Sequence, residues 1–134
     1  MARPTSEHPT QLELAILKIL WRRSPQTTEE IRSALASEGR ELAYSSVITI
    51  ANIMARKGLV DRMKQGRAFA YQPLVAEDEV SRDMVTDLVD RLFDGSAAAL
   101  MLRVLETTDV NTAELDEIRD LIQRKAQHQG ENRS

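Results

Sequence analysis

The run from Ala43 to Pro73, AYSSVITIANIMARKGLVDRMKQGRAFAYQP, leaves few folds open, because it reads as a helix, a glycine stop and a short basic hairpin. At about 100° of turn per residue, Val47, Ile50, Ala51, Met54 and Gly58 fall on one stripe suited to burial. Ser45, Thr49, Asn52 and Arg56 gather on the opposite side, with few carboxylates near them. Gly58 supplies a left-handed stop just past the helix end, and Arg56 and Lys57 stand in the last turn, where the helix dipole favours cations. Leu59 to Lys64 and Arg67 to Gln72 then read as strands, and the intervening Gln65-Gly66 reads as a tight hairpin loop. Phe69 and Tyr71 alternate with small residues and are expected in the core of the hairpin.

Two more helices precede this run. Thr10 with Glu13 forms a capping box ahead of LELAILKILWRR, which is apolar at Leu12, Ala15, Ile16, Ile19 and Leu20, with Leu14, Leu17 and Trp21 beside them. Ser24-Pro25 ends that helix. Thr27 with Glu30 opens a second capped helix that runs through Ile31 and Leu35 to Gly39. Three helices followed by a two-stranded wing define a winged helix-turn-helix over residues 10–75, so the fold class is mainly α with a small β-wing. Beyond Pro73 the pattern is helical throughout, with breaks at Asp94-Gly95 and before Asn111, and Asn111 with Glu114 again makes a capping box. Three helices over residues 76–125 enclose too little core to stand alone, which points to a homodimer sharing one. The residues expected at that interface are Met84, Leu88, Leu92, Phe93, Leu100, Val104, Leu115, Ile118 and Ile122. Residues 1–9 and 126–134 are polar, unpatterned and expected to be disordered.

With 134 residues, 42% of them hydrophobic and only 4% aromatic, the core must be aliphatic. There is no cysteine, hence no disulfide, thiolate metal site or cysteine nucleophile. No apolar run approaches the ~20 residues that span a bilayer, and the first residues lack the apolar stretch of a signal peptide, so a cytoplasmic protein is expected. Catalysis finds no support: the two histidines, His8 and His128, fall in the expected tails, and no phosphate loop or paired-acid motif is present. The acidic run Glu77, Asp78, Glu79, Asp83, Asp87 and Asp90 reads as a solvated helix face rather than a metal site. Neither cofactor nor metal is expected.

The formal net charge of −3 conceals a polarity: residues 1–75 carry +4 and residues 76–134 carry −7. Phosphate attraction depends on the local field and decays within ~8 Å at physiological salt, so the acidic half does not forbid binding of double-stranded DNA by the basic one. Hydroxyl and carboxamide side chains suit base edges, which makes Ser45, Ser46, Thr49 and Asn52 the candidate readers, with Asn52 placed for a bidentate contact to adenine. Tyr44, Arg56, Lys57, Arg62, Lys64 and Arg67 are the candidate phosphate ligands. The flanking Ile48 and Ile53 are expected to pack against the preceding helix, with apolar contact to thymine methyls or the sugar edge as the alternative. A winged-helix module binding a protein through the same face is the alternative these residues leave open.

The run ELAYSSVITIANIMARKGLVDRMKQGRAFAYQPLV, with LELAILKILWRRSPQTTEEI before it and LVDRLFDGSAAALMLRVLE and ELDEIRDLIQRK after it, resembles the penicillinase-repressor family (BlaI/MecI/CopY type) over about residues 10–125. The wing signature GRAFAY and the DRLFDGS junction make that resemblance specific. It implies a bacterial transcriptional repressor that dimerises through its C-terminal helices, places its third helix in the major groove and binds an inverted-repeat operator. It also implies a membrane sensor metallopeptidase as partner, which triggers cleavage of family repressors. Three positions depart from the pattern. Cleavable members carry an Asn-Phe bond where this chain has Arg103-Val104; copper-responsive members carry cysteine pairs that are absent here; and many members have Arg where this chain has Ile53, which leaves the operator sequence open.

Overall fold

A computed structural model of the chain describes residues 8–133. Most of the 1–9 stretch expected to be disordered, and Ser134, lie outside the described residues. The element order is α1 (Gln11–Arg22), β1 (Gln26–Thr27), α2 (Thr28–Ser37), α3 (Tyr44–Arg56), β2 (Val60–Gln65), β3 (Ala68–Pro73), α4 (Glu77–Leu92), α5 (Ala97–Thr107) and α6 (Thr112–Arg133). The chain falls into two compact units that meet between Leu88 and Val89.

Helix boundaries in the first unit follow the local signals. Both capping boxes form: Thr10 N–H donates to Glu13 Oε1 at 2.9 Å, and Thr27 N–H to Glu30 Oε1 at 2.9 Å, with the return bonds from the Glu13 and Glu30 N–H groups at 3.2 Å. The bond from the Thr27 N–H, and after it those from Arg23, hold the Glu30 carboxyl below its ordinary range. Gly39 and Gly58 take positive φ after α2 and α3, where an L side chain would be strained. At the end of α1, the buried Gln26 donates its amide to Arg23 O at 2.6 Å, just past the helix, and to Ile19 O at 3.1 Å, which also accepts from Arg23 N–H at 3.3 Å.

The core of this unit is Ile16, Leu17, Ile19 and Leu20 from α1, Ile31 and Leu35 from α2, Val47, Ala51 and Met54 from α3, and Leu59, Val60 and Tyr71 around the sheet. Of the stripe expected on α3, Ile50 is half-buried and Gly58 is exposed. The sheet has three antiparallel strands in the order β1-β3-β2, not the two of a simple wing. Strand β1 is two residues long and pairs Gln26 with Tyr71 and Thr27 with Ala70, which puts β3 in the centre. Ala70 and Tyr71 are therefore both buried although they point to opposite faces.

The hairpin turn lies one residue later than expected. Gln65 pairs with Ala68, so the loop is Gly66-Arg67, with φ +64° at Gly66. Positive φ at the first loop residue is what lets a two-residue loop follow the twist of its strands. Phe69, expected in the core, is 41% exposed. It lies two residues from Tyr71 toward the hairpin tip, about 7 Å further out at the rise of a strand, and the core does not reach it.

Helix α4 begins within the first unit, where Val80 is buried and the Trp21 indole N–H donates to Val75 O at 2.9 Å just ahead of it. The boundary between units therefore falls inside α4 rather than at residue 75. In the second unit, Asp94 and Gly95 both take positive φ, Ser96 caps α5 by accepting from Ala99 N–H at 3.1 Å, and Asn111 caps α6 by accepting from Glu114 N–H at 2.8 Å. Helix α6 runs on through 126–133, where disorder was expected; that stretch lacks an apolar stripe but carries Ala126, Gln127, Gln129, Glu131 and Arg133, which favour helix, beside Gly130 and Asn132, which do not. No residue of α5 is buried, nor any of α6 through Glu131. Among the described residues, no helix is long and apolar enough to cross a membrane.

Gln26→Leu should lower the stability of the first unit by about 1 to 3 kcal/mol, since the Arg23 carbonyl loses its side-chain donor and the Ile19 carbonyl keeps only the longer bond from Arg23 N–H. Denaturant unfolding followed by Trp21, the sole tryptophan, reports it; an unchanged midpoint would refute this role for Gln26.

Candidate nucleic-acid interface

Burial of Val47, Ala51 and Met54 turns the other side of α3 outward. Tyr44, Ser45, Ser46, Thr49 and Arg56 are exposed, and Asn52 is half-buried where the helix approaches β2. No acid stands in the first turn of α3, and no side chain caps its N-terminal N–H groups, so that end keeps its positive field. Thr49 turns its hydroxyl back to donate to Ser45 O at 3.0 Å, which leaves its methyl and oxygen lone pairs facing outward. Ile48 and Ile53 are half-buried, and Ile53 accepts at its carbonyl the closing bond from Lys57 N–H at 3.0 Å.

The basic residues divide into two groups. Lys64 and Arg67 are exposed on the hairpin, Arg56 is exposed at the end of α3, and Asp61 is the one acid between residues 56 and 67. Lys57 is held elsewhere: its Nζ lies 3.1 Å and 3.0 Å from the two oxygens of Glu13, a carboxylate only 5% exposed on α1. The pair ties the end of α3 to the start of α1 and holds Lys57 apart from the exposed cations of the hairpin.

Arg62 is engaged as well. Its Nη1 donates to Asn52 Oδ1 at 3.1 Å, and its guanidinium carbon lies 4.3 Å from the centroid of the Phe69 ring. Sequence reasoning placed Asn52, Arg62 and Phe69 separately. Their meeting depends on α3 crossing β2 and on the strand register that sets Arg62 diagonally from Phe69. Asn52, Ala55, Arg56 and Arg62 line a small open cleft of about 350 Å³. A wider cleft of about 790 Å³, lined by Lys18, Trp21, Arg22 and Glu38 among others, includes no α3 residue.

In the second unit the residues expected at a dimer interface carry large apolar surface. Leu92, Val104, Leu115, Ile118 and Ile122 are exposed, as is Leu88 on the first-unit part of α4, while Met84, Phe93 and Leu100 are half-buried. Arg103 and Val104 lie inside α5, with the bond between them in regular helix. Among the described residues, no three acidic or histidine side chains come together as a metal site.

This order of elements, with one polar face on the third helix and a basic hairpin beside it, agrees with a match of residues 9–124 to the penicillinase repressor family. The chain belongs to that family. It is 32% identical over 105 residues to a transcriptional regulator BlaI of Mycobacterium tuberculosis, covering 77% of this chain and 75% of the relative. It is 23% identical over 111 residues to a penicillinase repressor of Bacillus licheniformis, covering 83% of this chain and 86% of the other. A methicillin resistance regulatory protein MecI of Mammaliicoccus sciuri is 22% identical over 113 residues, covering 84% and 91%. Among solved structures, the DNA binding domain of the repressor BlaI matches with a TM-score of 0.47 and 26% identity, over 54% of this chain and 89% of that one. The relatives are transcriptional regulators and repressors by name, and this chain is a transcriptional repressor of their family, not an enzyme.

Lys57→Ala should cost about 1 to 3 kcal/mol of stability, because Glu13 remains buried without its cation; the partial exposure of Lys57 keeps the loss below that of a fully buried pair. The same variant should leave the salt dependence of DNA binding unchanged. A slope smaller by about one charge would return Lys57 to the phosphate contacts.

Proposed function

We propose that this repressor binds an inverted-repeat operator as a homodimer, each protomer laying α3 in a major groove with the β2–β3 hairpin against the flanking backbone. The outward face of α3 carries the reading: Ser45, Ser46, Thr49 and Asn52 share it, carboxylates are absent from it, and Arg56, Lys64 and Arg67 stand exposed beside it. Base edges are read by hydroxyl, carboxamide and guanidinium groups and by methyl contacts, while exposed cations at the rim supply the sequence-independent attraction to phosphates. The first-turn N–H groups of α3 and the Tyr44 hydroxyl add backbone contacts of the positioning kind.

The apolar surface of α5 and α6 supports the dimer. Leu115, Ile118 and Ile122 recur at helical spacing on α6, as do Leu100 and Val104, and Met101 and Leu105, on α5. Nine large hydrophobic side chains from Leu92 onward are exposed. Burying each fully is worth about 1.5 to 3 kcal/mol, enough for a shared core to stabilise helices that bury nothing alone. A two-fold dimer presents two copies of α3 and calls for a palindromic site.

Asn52→Ala should flatten the preference for operator over scrambled DNA while leaving dimerisation intact; a gel-shift titration with undiminished discrimination would sink the reading of α3. Sedimentation of the native chain at micromolar concentration should give about twice the 15.1 kDa chain mass, and Ile118→Asp should shift it toward the single chain. A native monomer would defeat the dimer.

A further inference from the structure

We propose that Arg62 and Phe69 of the hairpin fix the carboxamide of Asn52 so that it reads guanine. The inference rests on α3 being the base-reading helix and goes on to name the base and the residues that choose it.

A carboxamide has one acceptor oxygen and a two-proton donor nitrogen, and which one faces the DNA decides what it can recognise. Here Arg62 Nη1 donates to Asn52 Oδ1 at 3.1 Å. Rotating the amide by half a turn would set its N–H₂ against a guanidinium, donor against donor, so the oxygen stays on Arg62 and Nδ2 faces away. Arg62 is itself held from its other side by the Phe69 ring, 4.3 Å from its guanidinium carbon. With its ring 41% exposed, Phe69 contributes little to the core, and the cation is what its face meets.

The cleft formed by Asn52, Ala55, Arg56 and Arg62 is consequently lined by donors: the Asn52 amide nitrogen and two guanidinium groups, with no carboxylate and only the small Ala55 methyl between them. In the major groove, adenine and cytosine each present an amino donor, and thymine presents one acceptor beside a methyl group. Guanine alone offers two adjacent acceptors, N7 and O6. A bidentate contact from Asn52 to adenine needs Oδ1 to accept from the adenine amino group, and Arg62 already occupies that side. A phosphate shares the acceptor chemistry of guanine, but it contributes to the salt slope and carries no base preference.

The test uses the full-length protein and the duplex it selects from a random-sequence library, together with that duplex substituted one base pair at a time and with 7-deazaguanine. Asn52→Ala identifies the base pair whose preference depends on that side chain. The expected base there is guanine, with about a tenfold or greater loss of affinity for adenine or 7-deazaguanine. Arg62→Lys keeps the charge, and Phe69→Leu changes none, so both should leave the salt slope unchanged and cut the preference at this one base pair by about tenfold. The double variant should lose no more than either single one, because the two residues act as a unit. Both positions are exposed, and an unchanged Trp21 unfolding transition confirms the fold of each variant.

If Asn52→Ala flattens a base preference but Arg62→Lys and Phe69→Leu do not, the coupling is wrong while the reading helix stands. An Asn52-dependent preference for adenine overturns the guanine assignment. Uniform weakening across all sequences with a reduced salt slope in Arg62→Ala makes the cleft a phosphate clamp and also overturns it. Should Asn52→Ala change no base preference at all, the failure belongs to the reading of α3 itself.

Discussion

The outward face of α3 depends on the burial of three side chains of that helix, Val47, Ala51 and Met54. Once they are seated among Ile16, Leu20, Ile31, Leu35 and Tyr71, the 3.6-residue repeat leaves no choice about which side of α3 meets solvent. The receiving core is small and aliphatic, and its polar supports bear directly on α3. Glu13, nearly excluded from solvent, accepts from Thr10 at the start of α1 and from Lys57 at the end of α3. One carboxylate thus caps one helix and anchors another, which costs the protein a surface cation and gains a fixed angle for α3.

That division of cations shows why counting charge along the chain overestimates how many cations stand exposed beside α3. Six candidate phosphate ligands were legible as residue types. The geometry assigns Lys57 to Glu13 and turns Arg62 toward Asn52 and Phe69, leaving Arg56, Lys64, Arg67 and the Tyr44 hydroxyl at the rim. A smaller set of free cations fits a protein whose −3 net charge already limits its attraction to nucleic acid. Specificity in such a case has to come from where donors are aimed more than from how many charges are present.

What the sequence made legible was local. Capping boxes at Thr10, Thr27 and Asn111, the stops at Gly39, Gly58 and Gly95, and the stripe on α3 each depend on residues within about one turn of one another, and each appears in the structure. What it hid was long-range. Strand β1 has only two residues and no alternation to betray it; it exists because Gln26 and Thr27 lie beside Tyr71 and Ala70. The exposure of Phe69 depends on how far the hairpin projects beyond the core, and the Lys57–Glu13 pair joins positions 44 residues apart. The lack of an apolar stripe misled at residues 126–133, which are helical all the same.

The second unit carries this separation of local and long-range signals to its limit. Caps and breaks define α5 and α6 well, yet α5 buries no residue and α6 none through Glu131, and most helical stability in proteins comes from packing of an apolar face. In the proposed dimer the missing support comes from a second copy, so folding of these helices and association are one event, coupled by mass action. The same coupling reaches the DNA. In that proposed dimer, two half-sites held together would bind with an effective concentration that a monomer lacks, so a signal that loosened the α5–α6 contact would lower operator affinity without touching α3. Arg103 and Val104 sit in the middle of α5, within the segment proposed to form the interface. Its helical, hydrogen-bonded backbone must unwind before the bond between them could enter a protease site, so the stability of the dimer would itself govern how readily such a bond is exposed.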